Sequence, residues 1–563
     1  MLGHYKFNED LKIGDLVSVV HQTPDESVVE RITSMPNKEQ FGTVEKLKLY
    51  NRLSAYNVME TNGAGETIII DTFSPSIGTL YELGMFQGEI RVGKNTYSRK
   101  DLTYFVRASV ATKDIIEPIW FLPLGDAPEL DNTFGGSIVS DNSNNIYVLA
   151  SIPKLIKLRD RRQVGDKKSD KIAVFYMHIQ FINDSPFIVS MTGIDSISER
   201  DNLNIVLDGD TTSNLFISGM LKEGRKSYIA NILMNGNIQW DLTVGASDVG
   251  NSRSIISSII APSGNHIYIG GLYGMTTSED QIVTGPLYLV LNKTDGSEVL
   301  YETGIFKSSR DVPALSAITS MAVSTSGEYL YLASITAPGK IRFMDNKFQV
   351  QQTSVVLYKI SIDSFRLLKY KKYPINNDNF RLIAPEIVST PVNGTTLHIA
   401  FYNSLHSLSL YHLNGDMTLL NQVQIDGLST GISSSIISSN KYQLFINGFN
   451  SSETDNTRID VISNENINIG LNRGITMMFV PDLPAVIGVV KSICPRGMKN
   501  ETVATVVFQG QVDGIFSALR EHTQYYIAMD GRYTTKSFNR SPILLTFQNG
   551  DGIFFGIRTA RLQ

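Results

Sequence analysis

Six times between residues 137 and 448 the chain repeats one pattern: a short apolar run, a turn rich in Ser, Asn, Gly or Asp, and a second apolar run with alternating side chains. The copies read SIVSDNSNNIYVLAS (137–151), NIVLDGDTTSNLFISG (204–219), SIIAPSGNHIYIGG (258–271), SMAVSTSGEYLYLAS (320–334), EIVSTPVNGTTLHIAF (386–401) and SIISSNKYQLFING (435–448). Period-two alternation bounded by turn residues predicts a β-hairpin in each copy. The anchor residues Ile146, Leu215, Ile267, Leu330, Leu397 and Leu444 lie 47 to 69 residues apart, which predicts a fixed core with loops of variable length.

A second hairpin follows in most copies, as in SYIANILMNGNIQWDLTVG (227–245), LYLVLNKTDGSEVLYETG (287–304) and LSLYHLNGDMTLLNQV (408–423). Asn235-Gly236, Asp295-Gly296 and Asn414-Gly415 fall at the tips, where a positive φ is wanted. Four strands per repeat is the blade of a β-propeller, in which stacked blades bury both faces of each sheet. In the sixth copy the third strand is expected near RIDVISN (458–464), and residues 119–126, IWFLPLGD, are expected to supply the missing outer strand. The fold class is therefore all-β: a six-bladed propeller, with seven blades as the alternative, flanked by a β-rich N-terminal domain and a small C-terminal β domain. The expected boundaries are 1–118, 119–473 and 474–563. The first part contains strand patterns at 11–21 and 66–73, with a short helix expected within 38–60.

Composition agrees with an all-β chain of several domains. Of 563 residues, 42% are hydrophobic and 19% charged, and 44 are Gly. The net charge of −5 argues against nucleic acid or an anionic membrane as a general partner. A lone Cys494 excludes an internal disulfide, and the first residues have neither a basic nor an apolar leader pattern. The most apolar stretch, 474–490, is broken by Pro481, Asp482 and Pro484, so no membrane span is expected.

Within the last ninety or so residues stand Ile487-Gly488-Val489, Gly510-Gln-Val512-Asp-Gly514, Tyr525-Tyr526, Asp530-Gly531 with Thr534-Thr535, and Gly556-Ile557. This order resembles the small β domain of phage tail, capsid-decorating and giant-virus structural proteins. It departs from that pattern at REHTQ (520–524), where the family has a Pro-Gly turn. The resemblance implies a non-enzymatic virion component, made in the host cytoplasm, whose partners are other virion structural proteins. It carries no catalytic residues to transfer.

No catalytic signature competes with that expectation. The histidines His4, His21, His178, His266, His398, His406, His412 and His522 lack zinc spacing. His398, His406 and His412 share one repeat and read as packed strand residues. No Gly-x-Ser-x-Gly elbow or phosphate-binding loop occurs, and Trp120 and Trp240 are the only tryptophans. No catalytic residue, cofactor or metal is assigned. A carbohydrate-binding or glycan-cleaving propeller used in host attachment, and a cytosolic interaction scaffold, stand as alternatives.

Charge is the one local feature that singles out a surface. In a propeller the loops between second and third strands share one face. The first repeat's loop, 151–171, holds eight Lys/Arg against three Asp; 220–227 and 335–352 carry +2 each, while 272–285 and 449–457 carry −2 each. That face sums to +5 on a chain of −5. Arg159, Arg161, Arg162, Lys167, Lys168, Lys222, Arg225, Lys340 and Arg342 are the candidate contacts for an acidic glycan or an acidic protein face.

Overall fold

A computed structural model describes most of residues 50–480, except connecting stretches, chief among them 127–134, 158–162, 165–172, 222–225, 245–252, 277–281, 309–315, 376–383, 430–434 and 451–457. Outside that span it describes strands within 2–33 and 488–554. The chain divides into two compact units, Tyr50–Val480 and the pair Met1–Leu49 with Pro481–Gln563.

The larger unit is a β-propeller, and the described residues form no helix. Each of the six repeats forms a four-stranded antiparallel blade in which the first strand is innermost. A further four-stranded sheet, made of Thr67–Ser76, Gly78–Val92, Asn95–Ala111 and Ile116–Asp126, stands between the last repeat and the first. The ring thus has seven blades among the described residues, the alternative count, with the sheet of 67–126 as blade 1 and the repeats as blades 2 to 7.

Hydrogen bonds join both ends of this ring. Ser435 N donates to Ile70 O at 3.0 Å, and Gln443 Nε2 donates to Ala111 O at 2.8 Å.

Closure differs from the sequence expectation. Residues 119–126 pair with Thr103–Arg107 and neighbours inside blade 1, so they are not the missing outer strand. That strand is Leu53–Val58, which pairs antiparallel with Arg473–Phe479 of blade 7. The expected boundary at 118/119 therefore falls within a strand, and the boundary at 473/474 cuts the third strand of blade 7. RIDVISN does not hold that third strand. Arg458–Val461 instead pairs with Glu465–Asn468 and with the outer strand of blade 6. Of the expected helix within 38–60, residues 53–58 are strand and 38–49 lie outside the described residues.

Packing explains the apolar runs. Second and third strands are covered on both faces by neighbouring blades, so Asn214–Met220 and Ser227–Leu233 each bury every residue but one. The outer strand Ile238–Val244 has only its last residue buried. An aromatic of one blade repeatedly reaches a turn carbonyl of the next. Tyr176 OH donates to Met234 O at 2.7 Å, Trp240 Nε1 to Lys293 O at 2.9 Å, and Tyr331 OH to Gly415 O at 2.8 Å.

At the turn tips Gly236 and Gly296 take positive φ as expected, 87° and 70°. In the blade 6 turn the left-handed residue is Met417, with φ 59°, rather than Gly415.

The second unit draws on both ends of the chain. Leu2–Phe7, Ser27–Thr33, Leu16–Gln22, Gly488–Arg496 and Glu501–Val507 form a closed barrel in that order. Leu2–Lys6 pairs with Val503–Val507, so the first and last parts of the sequence are not separate flanking domains. A five-stranded sheet follows within 510–554 and takes in Gly510, Val512, Tyr525, Tyr526 and Thr534 of the C-terminal motifs. Thr535, Gly556 and Ile557 lie outside the described residues.

Candidate functional site

The inner strands of all seven blades enclose a cavity of about 290 Å³ on the propeller axis. Its wall is rich in hydroxyls and carries two carboxyl groups, Asp71 of blade 1 and Glu386 of blade 6, on either side of blade 7. Thr72 N donates to Asp71 Oδ1 at 2.8 Å, while Ile138 N and Ser137 Oγ donate to Oδ2 at 2.9 and 3.1 Å. Ile436 N, Ile437 N and Ser435 Oγ donate to Glu386 Oε2 at 2.8, 3.2 and 3.3 Å.

Burial pushes both carboxyls up. Asp71 rises to about 6, with its hydrogen bonds opposing the shift, and Glu386 rises to about 8, with the negative charge of Asp71 adding to burial. Both carboxyls therefore hold a proton more readily than an exposed one, Glu386 more so than Asp71. An acid next to a base could in principle move a proton, yet three of the four carboxyl oxygens are engaged by inner-strand donors. Register shows what these groups replace. Asp71 follows a bulge in its inner strand, as Ser258 and Ser320 do in theirs. Ser320 Oγ accepts from Ile387 N of the next blade at 3.1 Å, just as Asp71 accepts from Ile138 N. The carboxyls therefore brace neighbouring blades where other blades use a hydroxyl. Sequence reasoning missed both; the only local signal was a charge within or at the start of an inner apolar run, in IIID and EIVST.

Seven of the nine basic candidates, Arg159, Arg161, Arg162, Lys167, Lys168, Lys222 and Arg225, lie outside the described residues. Lys340 and Arg342 sit on Gly339–Phe343, which forms a hairpin with Asn346–Val350 and pairs at its other edge with Ile305–Ser308. Alternation buries Ile341, Phe343, Phe348 and Val350 against blade 5, where Phe348 stacks on Tyr370 at 4.3 Å. The opposite side exposes Lys340, Arg342 and Lys347.

Arg342 lies directly across from Lys347, and Lys340 from Lys307. Like charges opposite each other destabilise a sheet, and neither Lys340, Arg342 nor Lys347 has a salt bridge among the described residues. Asp345, at the hairpin tip, is the nearest acidic residue in sequence. Elsewhere ion pairs are structural: Lys293 of blade 4 meets Asp208 and Asp210 of blade 3 at 2.5 and 3.0 Å.

No family model and no curated protein matches the chain. Solved structures with similar architecture include a protein from Lactobacillus plantarum, 13% identical, covering 64% of this chain and 96% of that one with a TM-score of 0.35. The β-propeller domain of the trilobed protease from Pyrococcus furiosus is 8% identical and covers 72% of this chain and 98% of that one, with a TM-score of 0.38. An α-L-arabinanase from Penicillium chrysogenum is 8% identical, covering 74% and 93% with a TM-score of 0.33. At such values these likenesses carry no argument about activity, and the propeller assignment rests on the strand pairing above.

Proposed function

We propose that this chain is a non-catalytic interaction propeller of a virion, which meets an acidic partner through basic hairpins on its loop face. The observation that carries the reading is the blade 5 hairpin, where Arg342 and Lys347, both exposed and without a salt bridge among the described residues, stand across from each other at a cost to the sheet. Such an arrangement suits a surface that an anionic glycan or acidic protein completes, and it supports steering by charge more than tight affinity. The virion setting rests on the C-terminal sequence pattern, and the engagement of the channel carboxyls in blade-to-blade bonds favours a scaffold over an enzyme.

Two measurements test the proposal. Proteomics of purified particles should find the chain in stoichiometric amounts, and its absence would remove the virion reading. Retention on an immobilised sulfated polysaccharide or an acidic polypeptide should fall with rising salt and fall again in Arg342→Glu. Equal retention of variant and parent at low salt would overturn the basic surface. A glycan array scored for turnover as well as binding separates this reading from a glycan-cleaving one.

A further inference from the structure

Between blades 6 and 7 lies a buried cluster that the proposed function leaves unused. His398 and His412 are direct partners on adjacent strands of blade 6, and their Nδ1 atoms are 2.7 Å apart. His398 Nε2 bonds Thr390 Oγ1 at 2.8 Å, whereas His412 Nε2 is buried with no partner among the described residues. The ring of Tyr50 meets His398 edge-on at 4.5 Å and stacks over His412 at 5.7 Å. All three residues are fully buried. Tyr50 also takes a φ of 55°, which a residue with a bulky side chain seldom adopts unless its surroundings enforce it. It stands three residues before Leu53–Val58, the strand that closes the ring.

We infer that Tyr50, His398 and His412 form an acid-released latch on the closing strand. The Nδ1···Nδ1 contact requires one proton between the two rings. Whichever tautomer provides it, adding a proton to His412 leaves a charged Nε2–H with no acceptor. A further proton on the pair breaks the Nδ1···Nδ1 bond itself. Among the described residues blade 7 offers no counter-charge. Phe445 and Met478 pack toward blade 1, so alternation turns Leu444, Ile446, Met477 and Phe479 toward the pair.

Among the described residues the ionisable groups on the same side of blade 6 are Glu386, which lies opposite Ala400, and Tyr402, each reached from His398 in two-residue steps along its strand. Burial raises both of them. Lys359 and Asp416 pair at 3.5 Å at the turn toward blade 5, and Arg52 lies outside the described residues.

Burial, and for His398 also the neighbouring His412, holds both imidazoles below their ordinary value of 6.5, with His412 near 3. A depressed folded value means that the latch is intact above about pH 6.5. It weakens as the pH falls below that point, because the opened state takes up protons first. Each histidine then contributes about a tenfold rise in the opening constant per pH unit, and the two together up to about a hundredfold.

The test is hydrogen exchange of the full chain, followed in a peptide covering Leu53–Val58 and normalised at each pH to the unstructured rate. From pH 6.5 to 5.5 the opening constant of the parent, divided by that of His398→Gln combined with His412→Gln so that the opposing carboxyls Asp71 and Glu386 cancel, should rise at least tenfold. His412→Gln, whose amide can still reach His398 Nδ1, should show at most half that logarithmic slope. His398→Gln combined with His412→Gln should keep only the opposing slope of the two carboxyls, and Tyr50→Ala should exchange fast already at pH 7.5. If the double variant fails to fold, the difference in slope between the parent and His412→Gln decides. A ratio of parent to double variant that stays flat with pH, or an acid response undiminished in His412→Gln, overturns the latch.

Discussion

Replacing Glu386 with Gln should make the propeller more stable as pH rises, relative to the parent. In the folded chain the Glu386 carboxyl is displaced from 4.5 to about 8, chiefly by burial. A raised folded value means that the full contribution is present below about pH 4.5 and is lost as pH climbs through the window up to about 8. Across that window each pH unit costs about 1.4 kcal/mol. Between pH 5.5 and 7.5 the parent therefore loses up to about 3 kcal/mol from this group alone. Glu386 keeps some contact with the channel, so about 1–3 kcal/mol is the expected range after screening by solvent.

Glutamine leaves one oxygen for Ile436 N and Ile437 N, the donors that meet Glu386 Oε2. Its amide stands where the protonated oxygen was. The assay is urea unfolding of both proteins at pH 5.5, 6.5 and 7.5, following the propeller transition. The quantity read is the difference between the two proteins, in which the opposing contribution of the histidine pair cancels. A difference that stays constant with pH, or that favours the parent more strongly at 7.5 than at 5.5, would refute a raised carboxyl at this position.

Lys293→Met should be among the most damaging single changes. It leaves buried Asp208 without its cation and removes the bond from Nζ to Pro262 O at 2.6 Å, for a loss of about 3–5 kcal/mol in denaturant unfolding. Gly296→Ala should lower stability by about 1–3 kcal/mol and shift the fluorescence of Trp240. At φ 70° the added Cβ would lie 2.7 Å from the indole ring. Arg342→Glu should raise the melting temperature slightly while weakening retention on an acidic matrix, because it turns a repulsive cross-strand pair with Lys347 into an attractive one. A variant that lost stability together with binding would show that the hairpin needs Arg342 for its own packing.

How much of this was legible in the sequence follows from what each blade needs. Six blades could be read because their second and third strands are buried on both faces, which forces dense apolar runs around a turn of small polar residues. Blade 1 escaped that reading for a physical reason. Its central strands, Gly78–Val92 and Asn95–Ala111, are 15 and 17 residues long, so a polar ribbon dilutes the apolar run. Its interface with blade 7 also substitutes polar contacts for apolar ones. Buried Arg107 donates to Glu82, which also accepts from Thr476 Oγ1 of blade 7 at 2.7 Å, and Asn447 Nδ2 donates to Thr72 Oγ1 at 3.0 Å.

The apolar periodicity that marks the other six blades does not mark this one, so its outermost strand reads in sequence as the strand that closes the ring. The site was less legible still, because Asp71 and Glu386 lie 315 positions apart in the chain and become neighbours in the ring only through closure. The same holds for Tyr50, whose place beside His398 depends on the strand that follows it crossing to blade 7. Polar groups thus gather on both sides of blade 7, the one blade assembled from distant parts of the chain. Hydrogen bonds there give registry that apolar packing alone does not provide, and they make the closure sensitive to pH from both directions: carboxyls that weaken it as pH rises, and histidines that weaken it as pH falls.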